Sequence, residues 1–167
     1  KKSTFYRMKK KHLTSKSLFF ISIIVILIDQ LSKFWIVQAI GKNKAVTLIP
    51  HVINIRLVRN TGAAFSLLEN STNFLGILSF LVSTGLILWI WRSKKMPIMK
   101  GLGFSFLLGG CIGNGLDRWL LGYVNDFIEL IPISFPIFNA ADIAINLALI
   151  CLIIDNISKQ SSQQIHT

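Results

Sequence analysis

The chain has 167 residues, of which 18 are Lys or Arg and 7 are Asp or Glu, so its formal net charge is +11. Yet 52% of the residues are hydrophobic and only 15% are charged, against about 25% charged residues in soluble domains. A basic nucleic-acid-binding domain and a disordered basic tail are excluded, because the first is rich in charge and the second is poor in apolar residues. The composition predicts an all-α integral membrane protein with one domain, residues 1–167.

Four apolar segments are long enough to cross a bilayer as helices, which takes roughly 20 residues. They cover about residues 17–40, 71–91, 101–121 and 135–155. The basic stretch before the first segment resembles a secretory signal, but the apolar run is too long and no small-residue cleavage pattern follows it. We therefore expect a retained helix, and Met8 is an alternative start for a chain that begins with Lys.

The positions of Lys and Arg predict the topology. Seven basic residues precede the first helix, and four occupy the connection at 92–100. By the positive-inside rule, both termini and this connection lie in the cytoplasm, and the first and third connections face outward.

The first outer connection, about residues 41–70, is long enough to form a structure of its own. Residues 52–58 alternate between apolar and polar side chains after Pro50, which predicts a strand. The turn-prone stretch Asn60–Ala64 follows it. A strand at the outer surface could border a site in the bilayer.

Several polar residues interrupt the predicted spans, and a charge inside a span costs at least ~2.5–3.5 kcal/mol. Asp29 and Lys33 are four residues apart on the first helix, and Asn114 and Arg118 are four apart on the third, so each pair shares a helix face. At a rise of about 1.5 Å per residue, these charges and Asp142 all fall in the outer half of the bilayer. Their shared depth predicts a functional site near the outer face.

Each of these residues also has a structural interpretation. The Asp29–Lys33 pair could orient the first helix or position a substrate, Arg118 could reach the outer headgroups, and Asn60 could be a turn residue. We expect Asp117 to pair with its neighbour Arg118. A glycine cluster on the third helix could be a packing seam or could admit a substrate chain; it comprises Gly109, Gly110, Gly113 and Gly115.

Asp126 and Asp142 are the pair of residues that predicts a catalytic function. Each lies where a span meets the outer face, and only 16 residues separate them. Two carboxylates that share a proton can activate a water molecule for attack on an amide: one acts as the base, while the other stays protonated and polarises the carbonyl group.

Other hydrolytic chemistries lack the necessary residues. No histidine is placed for a Ser–His pair, and Ser32 and Lys33 are adjacent on a helix, so they do not face each other. Residues 113–117 read Gly-Asn-Gly-Leu-Asp, one residue too many for a GxGD motif. Cys111 and Cys151 lie in apolar runs, which favours plain packing. We expect no metal ion and no cofactor.

Five motifs in a consistent order resemble those of one family, the lipoprotein signal peptidases (signal peptidase II). They are Asp29-Gln30-Leu31-Ser32-Lys33, Asn60-Thr61-Gly62-Ala63-Ala64-Phe65, the run from Gly109 to Arg118, Val124-Asn125-Asp126-Phe127, and Phe138-Asn139-Ala140-Ala141-Asp142. Any one motif alone is weak, but five with this spacing make a chance match very improbable.

The resemblance implies that Asp126 and Asp142 are the catalytic pair. It implies that five further residues line the site and hold the substrate backbone or the pair; these are Asn60, Gly110, Asn114, Arg118 and Asn139. Asp29 and Lys33 match family positions that support the site from the first helix.

The family resemblance also implies four transmembrane helices with a small extracytoplasmic β cradle in the bacterial inner membrane. The substrates would be lipid-modified prolipoproteins, cut before the cysteine that carries a diacylglyceryl group. The expected partners are these substrates and membrane lipids, without nucleic acid, for a monomeric enzyme. Two other functions remain open from the residues alone: a small ion-coupled carrier in which Asp29 and Asp142 bind cations, and a non-enzymatic assembly subunit.

Overall fold

The computed structural model describes residues 12–40, 44–62 and 71–164, with side chains up to residue 160. Over these residues the chain forms, in order, β1 (His12–Thr14), α1 (Ser15–Ala39), β2 (Ala45–Ile49), β3 (Ile53–Asn60), α2 (Thr72–Arg92), β4 (Lys95–Pro97), α3 (Ile98–Leu121), β5 (Val124–Leu130) and α4 (Ala140–Gln164). Residues 63–65 of the second motif, and most of the basic residues before the first helix, lie outside the described residues.

Helix α3 is the centre of the molecule and contacts each of the other three helices. Its glycines allow this, because a Cβ atom on Gly109 would lie 2.6 Å from Val25 of α1, and one on Gly110 would lie 2.7 Å from the carbonyl oxygen of Ala141 of α4. No larger residue fits at these crossings. The glycine cluster is therefore a packing seam that brings α1 and α4 close to α3.

Three of the described helices are long and apolar enough to cross a membrane: Ser15–Ala39, Thr72–Arg92 and Ala140–Gln160. Large apolar side chains cover their outer surfaces, such as Phe20, Leu31 and Trp91. Helix α3 does not meet this criterion although four spans were predicted. It is surrounded by the other helices, so glycine and polar side chains replace the apolar surface that lipid would require.

The end of the bundle near β1 and β4 has an apolar core made by Leu18, Ile90, Met96 and Leu108, which come from three helices and β4. The short strands β1 and β4 pair antiparallel there. The buried amide and carboxylate side chains of α3, Asn114 and Asp117, lie toward its opposite end.

A three-stranded antiparallel sheet in the order β2-β3-β5 covers that opposite end. The strand predicted at 52–58 is present as β3, at 53–60. Strand β5 was not predicted, although it contains Asp126. In the register of the sheet, Val58 lies opposite Asp126 and Asn60 lies opposite Val124, so the second and fourth motifs become neighbours.

The fourth predicted helix begins later and ends later than expected, since α4 covers Ala140–Gln164 rather than about 135–155. The helix begins later than predicted because Phe138 pairs with Ile128 of β5 through a β-bridge. Asn139 then caps the helix. Phe138 therefore pairs with the sheet and does not belong to the helix, a difference that periodicity could not show in an apolar run.

Candidate active site

A cavity of about 890 Å³ lies between the sheet, α3 and α4. Its polar wall includes Asn60, Asn114, Arg118, Asp126 and Asp142. Its apolar wall continues along the segment after β5 and along α4, through Phe135, Pro136, Ile137, Phe138, Ile143, Leu147 and Ile150.

Asp126 is buried in β5, and an amide group donates to each of its carboxylate oxygens. Asn139 Nδ2 donates to Oδ1 at 2.6 Å, and Asn60 Nδ2 donates to Oδ2 at 2.9 Å. Asn60 is placed for this contact by the register of β3 against β5. The carboxyl group is thus held from both sides while it faces the cavity.

Asp142 belongs to the first turn of α4 and is fixed by the cap of that helix. Its N–H donates to Asn139 Oδ1 at 3.1 Å, and its Oδ2 accepts from the Asn139 N–H, also at 3.1 Å. This reciprocal pair is a capping box, in which the first and fourth residues satisfy each other's N–H groups. Asn114 Nδ2 of α3 donates to the other oxygen, Oδ1, at 2.8 Å.

The three asparagines are oriented by the partners of their amide oxygens. Asn60 Oδ1 accepts from the Gly62 N–H, and Asn139 Oδ1 accepts from the Asp142 N–H. Asn114 Oδ1 accepts from Lys33 Nζ at 3.0 Å. Since each oxygen faces a donor, each NH₂ group must face a carboxylate, and the two aspartates receive directed hydrogen bonds.

The environment favours one shared proton on the pair. Burial of its carboxyl group, together with the negative charge of Asp142, raises the pKa of Asp126 from 3.8 to about 7, although hydrogen bonds from Asn60 and Asn139 oppose the rise. Close to neutral pH the site can therefore supply one acid and one base. Among the described residues no group of three His, Cys, Asp or Glu side chains is placed to hold a metal ion.

Asp29 and Lys33 lie behind the cavity wall and are almost fully buried, at 0% and 3% exposure. Lys33 Nζ contacts Asp29 Oδ2 at 2.8 Å and Asn114 Oδ1 at 3.0 Å. Asp29 Oδ1 accepts from the Ala141 N–H at 2.9 Å. The pair therefore joins α1 to the first turn of α4 and to the asparagine that holds Asp142.

Two further predicted residues also lie behind the wall rather than on it. Gly110 is packed under α4, against Ala141 and Ile145. Asn139 is completely buried and acts on the cavity through the two aspartates that it contacts.

Asp117 was expected to pair with Arg118, and this expectation is wrong. Its Oδ2 lies 3.3 Å from Lys33 Nζ and accepts from the Asn125 N–H at 2.9 Å. Neighbouring residues on a helix point in different directions, so Asp117 faces α1 while Arg118 faces the cavity. The signal was available in the sequence, because adjacent residues on a helix do not face each other.

Arg118 is anchored to the protein backbone. Its Nη1 donates to the Asn114 carbonyl at 3.3 Å, and its Nη2 donates to the Gly62 carbonyl at 3.2 Å. Its Nε is buried and has no hydrogen-bond partner among the described residues. The guanidinium group therefore links α3 to the segment after β3 at the edge of the cavity.

Known proteins are similar to this chain over most of its length. A family model described as signal peptidase (SPase) II matches residues 21–158. The chain is 49% identical over 141 residues to the lipoprotein signal peptidase of Parasynechococcus marenigrum (strain WH8102), covering 84% of this chain and 89% of that protein. It is 47% identical over 137 residues to that of Synechococcus sp. (strain RCC307), covering 81% and 91%.

A solved structure of a bacterial membrane enzyme at 2.3 Å resolution is also similar. It has a TM-score of 0.81 and 30% sequence identity, over 88% of this chain and 91% of the other. A second bacterial membrane enzyme, solved at 1.9 Å, has a TM-score of 0.77 at the same identity, over 88% and 96%. The resemblance predicted from the five motifs is confirmed: the chain belongs to the signal peptidase II family of aspartic-type peptidases.

Proposed function

We propose that this chain is an aspartic endopeptidase that removes signal peptides from diacylglyceryl-modified prolipoproteins, cutting before the lipidated cysteine. The observation that carries the proposal is the pair Asp126 and Asp142 in one cavity, with both oxygens of each carboxylate receiving hydrogen bonds. The names of the relatives, lipoprotein signal peptidases, support the substrate class.

The two aspartates are the catalytic residues. One carboxylate takes a proton from water as the water oxygen bonds to the scissile carbonyl carbon, while the protonated carboxyl group donates to the carbonyl oxygen. When the C–N bond breaks, the proton taken from water passes to the leaving nitrogen of the cysteine, and the carbonyl oxygen returns its proton to the other carboxylate. The raised pKa of Asp126 supports one protonated carboxyl group on the pair at the start, and the pair titrates as a unit.

The remaining site residues position this pair. Asn60, Asn114 and Asn139 hold the carboxylates, Arg118 holds the substrate backbone at the edge of the cavity, and Gly110 lets α4 approach. Asp29 and Lys33 fix the amide of Asn114 and the start of α4 from behind.

The shape of the cavity supports a lipidated substrate. Ile143, Leu147 and Ile150 follow one another at helical spacing along α4, below Asp142. Ile150 is eight residues beyond Asp142, which corresponds to about 12 Å along the helix. An acyl chain on the substrate cysteine fits along this wall while the scissile bond lies at the aspartates.

The membrane arrangement that we propose is based on the positions of Lys and Arg along the chain. Residues 1–167 form a single membrane peptidase domain with four transmembrane helices, α3 included, in the bacterial inner membrane. Both termini are cytoplasmic, and the β2-β3-β5 sheet and the aspartates are at the outer face, where the lipid-anchored cysteine of a precursor lies. The enzyme acts as a monomer, since α3 and α4 both contribute to the cavity from one chain.

The experiment is cleavage of a synthetic diacylglyceryl lipopeptide by the purified protein. We expect Asp126→Asn and Asp142→Asn each to abolish cleavage, because neither variant retains both an acid and a base, while each protein still inserts and unfolds cooperatively. Asp155→Asn on the same helix is the matched control, since Asp155 pairs with Lys159 away from the cavity. Normal cleavage by either variant of the pair would contradict the catalytic assignment.

Substrate class is tested with the unlipidated twin of the same peptide. We expect the lipidated peptide to be cleaved at a far higher kcat/KM, because the acyl chain binds the apolar wall. Equal cleavage of both peptides would refute the lipid requirement and leave the catalytic pair intact.

A further inference from the structure

A second, shallower cavity lies far from the aspartates, at the C-terminal end of α2. It has a volume of about 390 Å³ and is lined by Gly85, Leu88, Trp89, Arg92 and Ser93. These residues form one face of the last two turns of α2, which we call the α2 groove. The α2 groove is apolar at Gly85 and Leu88 and polar at Arg92 and Ser93.

Gly85 has no packing role within the described residues. A Cβ atom on Gly85 would meet nothing within 4 Å, whereas one on any other described glycine within a helix would approach a neighbouring side chain. Glycine is unfavourable in the middle of a helix. Its presence here therefore leaves open space on the lipid-facing side of α2 without bringing any other part of the described chain closer.

The polar end of the α2 groove carries positive charge without a counter-charge. Arg92 is exposed and has no ion-pair partner among the described residues. Lys100 of α3 lies 5.6 Å from the ring centroids of both Trp89 and Phe104, so its ammonium group is held beside the groove. Asp155 also lies toward this end of the bundle, but its carboxylate is paired with Lys159.

Hydrogen bonds and strand pairing hold the end of α2 beside the groove, and one further cation lies near it. The pairing of β1 with β4 places Thr14 opposite Lys95. The Ser15 hydroxyl donates to the Ser93 carbonyl, and the Ser93 N–H donates to the Trp89 carbonyl at 3.1 Å. The end of α2 is thus fixed before any ligand arrives, which lowers the entropy cost of binding.

We propose that the α2 groove binds one anionic phospholipid. The phosphodiester contacts Arg92, Ser93 and Lys100, the glycerol region lies beside Trp89, and an acyl chain runs over Leu88 and Gly85. Arg92 is seven residues from Gly85, or about 10 Å along the helix, which suits a phosphate and the first part of an acyl chain. A zwitterionic phospholipid gains less binding free energy here, because its headgroup is neutral overall while the electrostatic potential at this end of the protein is positive.

The test is native mass spectrometry of the purified full chain after exposure to equal amounts of phosphatidylglycerol and phosphatidylcholine with identical acyl chains. We expect wild-type protein to retain phosphatidylglycerol in preference to phosphatidylcholine. Arg92→Gln should retain about fivefold less, because a basic residue near the interface contributes that much to the binding of anionic lipid.

Gly85→Leu distinguishes lipid binding in the α2 groove from non-specific electrostatic attraction to this end of the protein. It fills the groove and leaves every charge in place, so we expect it also to lose retained phosphatidylglycerol. Undiminished retention by Gly85→Leu would overturn the proposal, because diffuse charge would then explain the binding. Arg56→Gln is a matched substitution on the sheet, and an equal loss of retained phosphatidylglycerol in this variant would also overturn the proposal. Equal retention of the two lipids by wild-type protein would overturn it as well. Thermal unfolding in lipid-free detergent verifies that each variant is folded.

Discussion

At the residue scale, the three asparagines of the site act as directional hydrogen-bond donors. An asparagine side chain presents an oxygen and an NH₂ group that differ in chemistry but little in shape. Here a pure donor faces each oxygen: Lys33 for Asn114 and backbone N–H groups for Asn60 and Asn139. The orientation of each amide toward an aspartate is thereby set before a substrate arrives.

Asn139 has two roles that substitution can separate. Asn139→Ser retains an oxygen that can cap α4 but loses the NH₂ group that donates to Asp126 and Asn114, so we expect at least tenfold lower kcat with the α4 cap intact. Hydrogen bonds to charged groups contribute about 1.5–3 kcal/mol, which is more than tenfold in rate. Asn139→Ala should lose the cap as well, costing about 1 kcal/mol of stability beyond the loss in Asn139→Ser. Equal melting temperatures of the two variants would contradict the capping role, and unchanged kcat in Asn139→Ser would contradict the role of the NH₂ group.

The pKa of Asp126 predicts the alkaline limb of the pH profile. A pKa raised to about 7 means that the proton is retained below pH 7 and lost above it. Because the proposed mechanism requires one protonated carboxyl group, we expect kcat/KM for the lipopeptide to fall as pH rises through about 7. Melting temperatures recorded at each pH separate this effect from unfolding. A rate that stays constant well above pH 7 would contradict the acid role.

At the element scale, α3 combines tight packing with the polar end of the site. We expect Gly110→Ala to destabilise the protein by about 1–3 kcal/mol, as overpacked positions do, because its Cβ would lie 2.7 Å from a backbone carbonyl oxygen of α4. It should also lower activity, since α4 carries Asp142.

Gly85→Ala is the matched control on α2. Its Cβ meets no atom within 4 Å, so the usual preference for alanine in a helix should raise stability by about 0.5–1 kcal/mol. Thermal unfolding in detergent compares the two variants directly. If both substitutions had the same effect, close packing would not be the reason for Gly110.

The capping of α4 shows how one element creates a site. Asn139 and Asp142 satisfy each other's N–H groups at the start of the helix, so the same local interaction that begins α4 also orients a catalytic candidate. The sequence indicated an acidic residue near a helix start. It did not indicate that the preceding residues would join a sheet, because the pairing of Phe138 with Ile128 is a long-range interaction.

At the scale of the whole molecule, one buried cation joins three helices. Lys33 of α1 contacts Asp29 on its own helix and Asn114 and Asp117 on α3, and Asp29 contacts the start of α4. We expect Lys33→Met to destabilise the fold by about 3–5 kcal/mol, because two buried carboxylates would lose their counter-charge.

The exposed ion pair on the sheet provides the control for Lys33→Met. Arg56 lies 3.2 Å from Glu129, with 48% of its side chain exposed. Exposed pairs contribute about 0–1 kcal/mol, so Arg56→Gln should leave the melting temperature nearly unchanged. A similar loss of stability in both variants would show that burial is not what makes the Lys33 network costly to break.

The sequence by itself determined the class of protein and the family, and it named the residues that we propose for the chemistry. Apolar length is a local property, and motif residues are read directly, so Asp126 and Asp142 could be named without a fold. The net charge of +11 indicated a membrane protein because Lys and Arg collect outside the apolar segments rather than among them.

Only the tertiary structure decided how these residues meet. Strand β5, the shift of α4 to residue 140, and the burial of Asp117 against Lys33 all depend on partners 10 to 90 residues away in the chain. Local periodicity carries no information about such partners, since an apolar run has the same sequence pattern whether it pairs with a strand or begins a helix. The cavity exists because those long-range contacts place three asparagines and two aspartates at one end of α3.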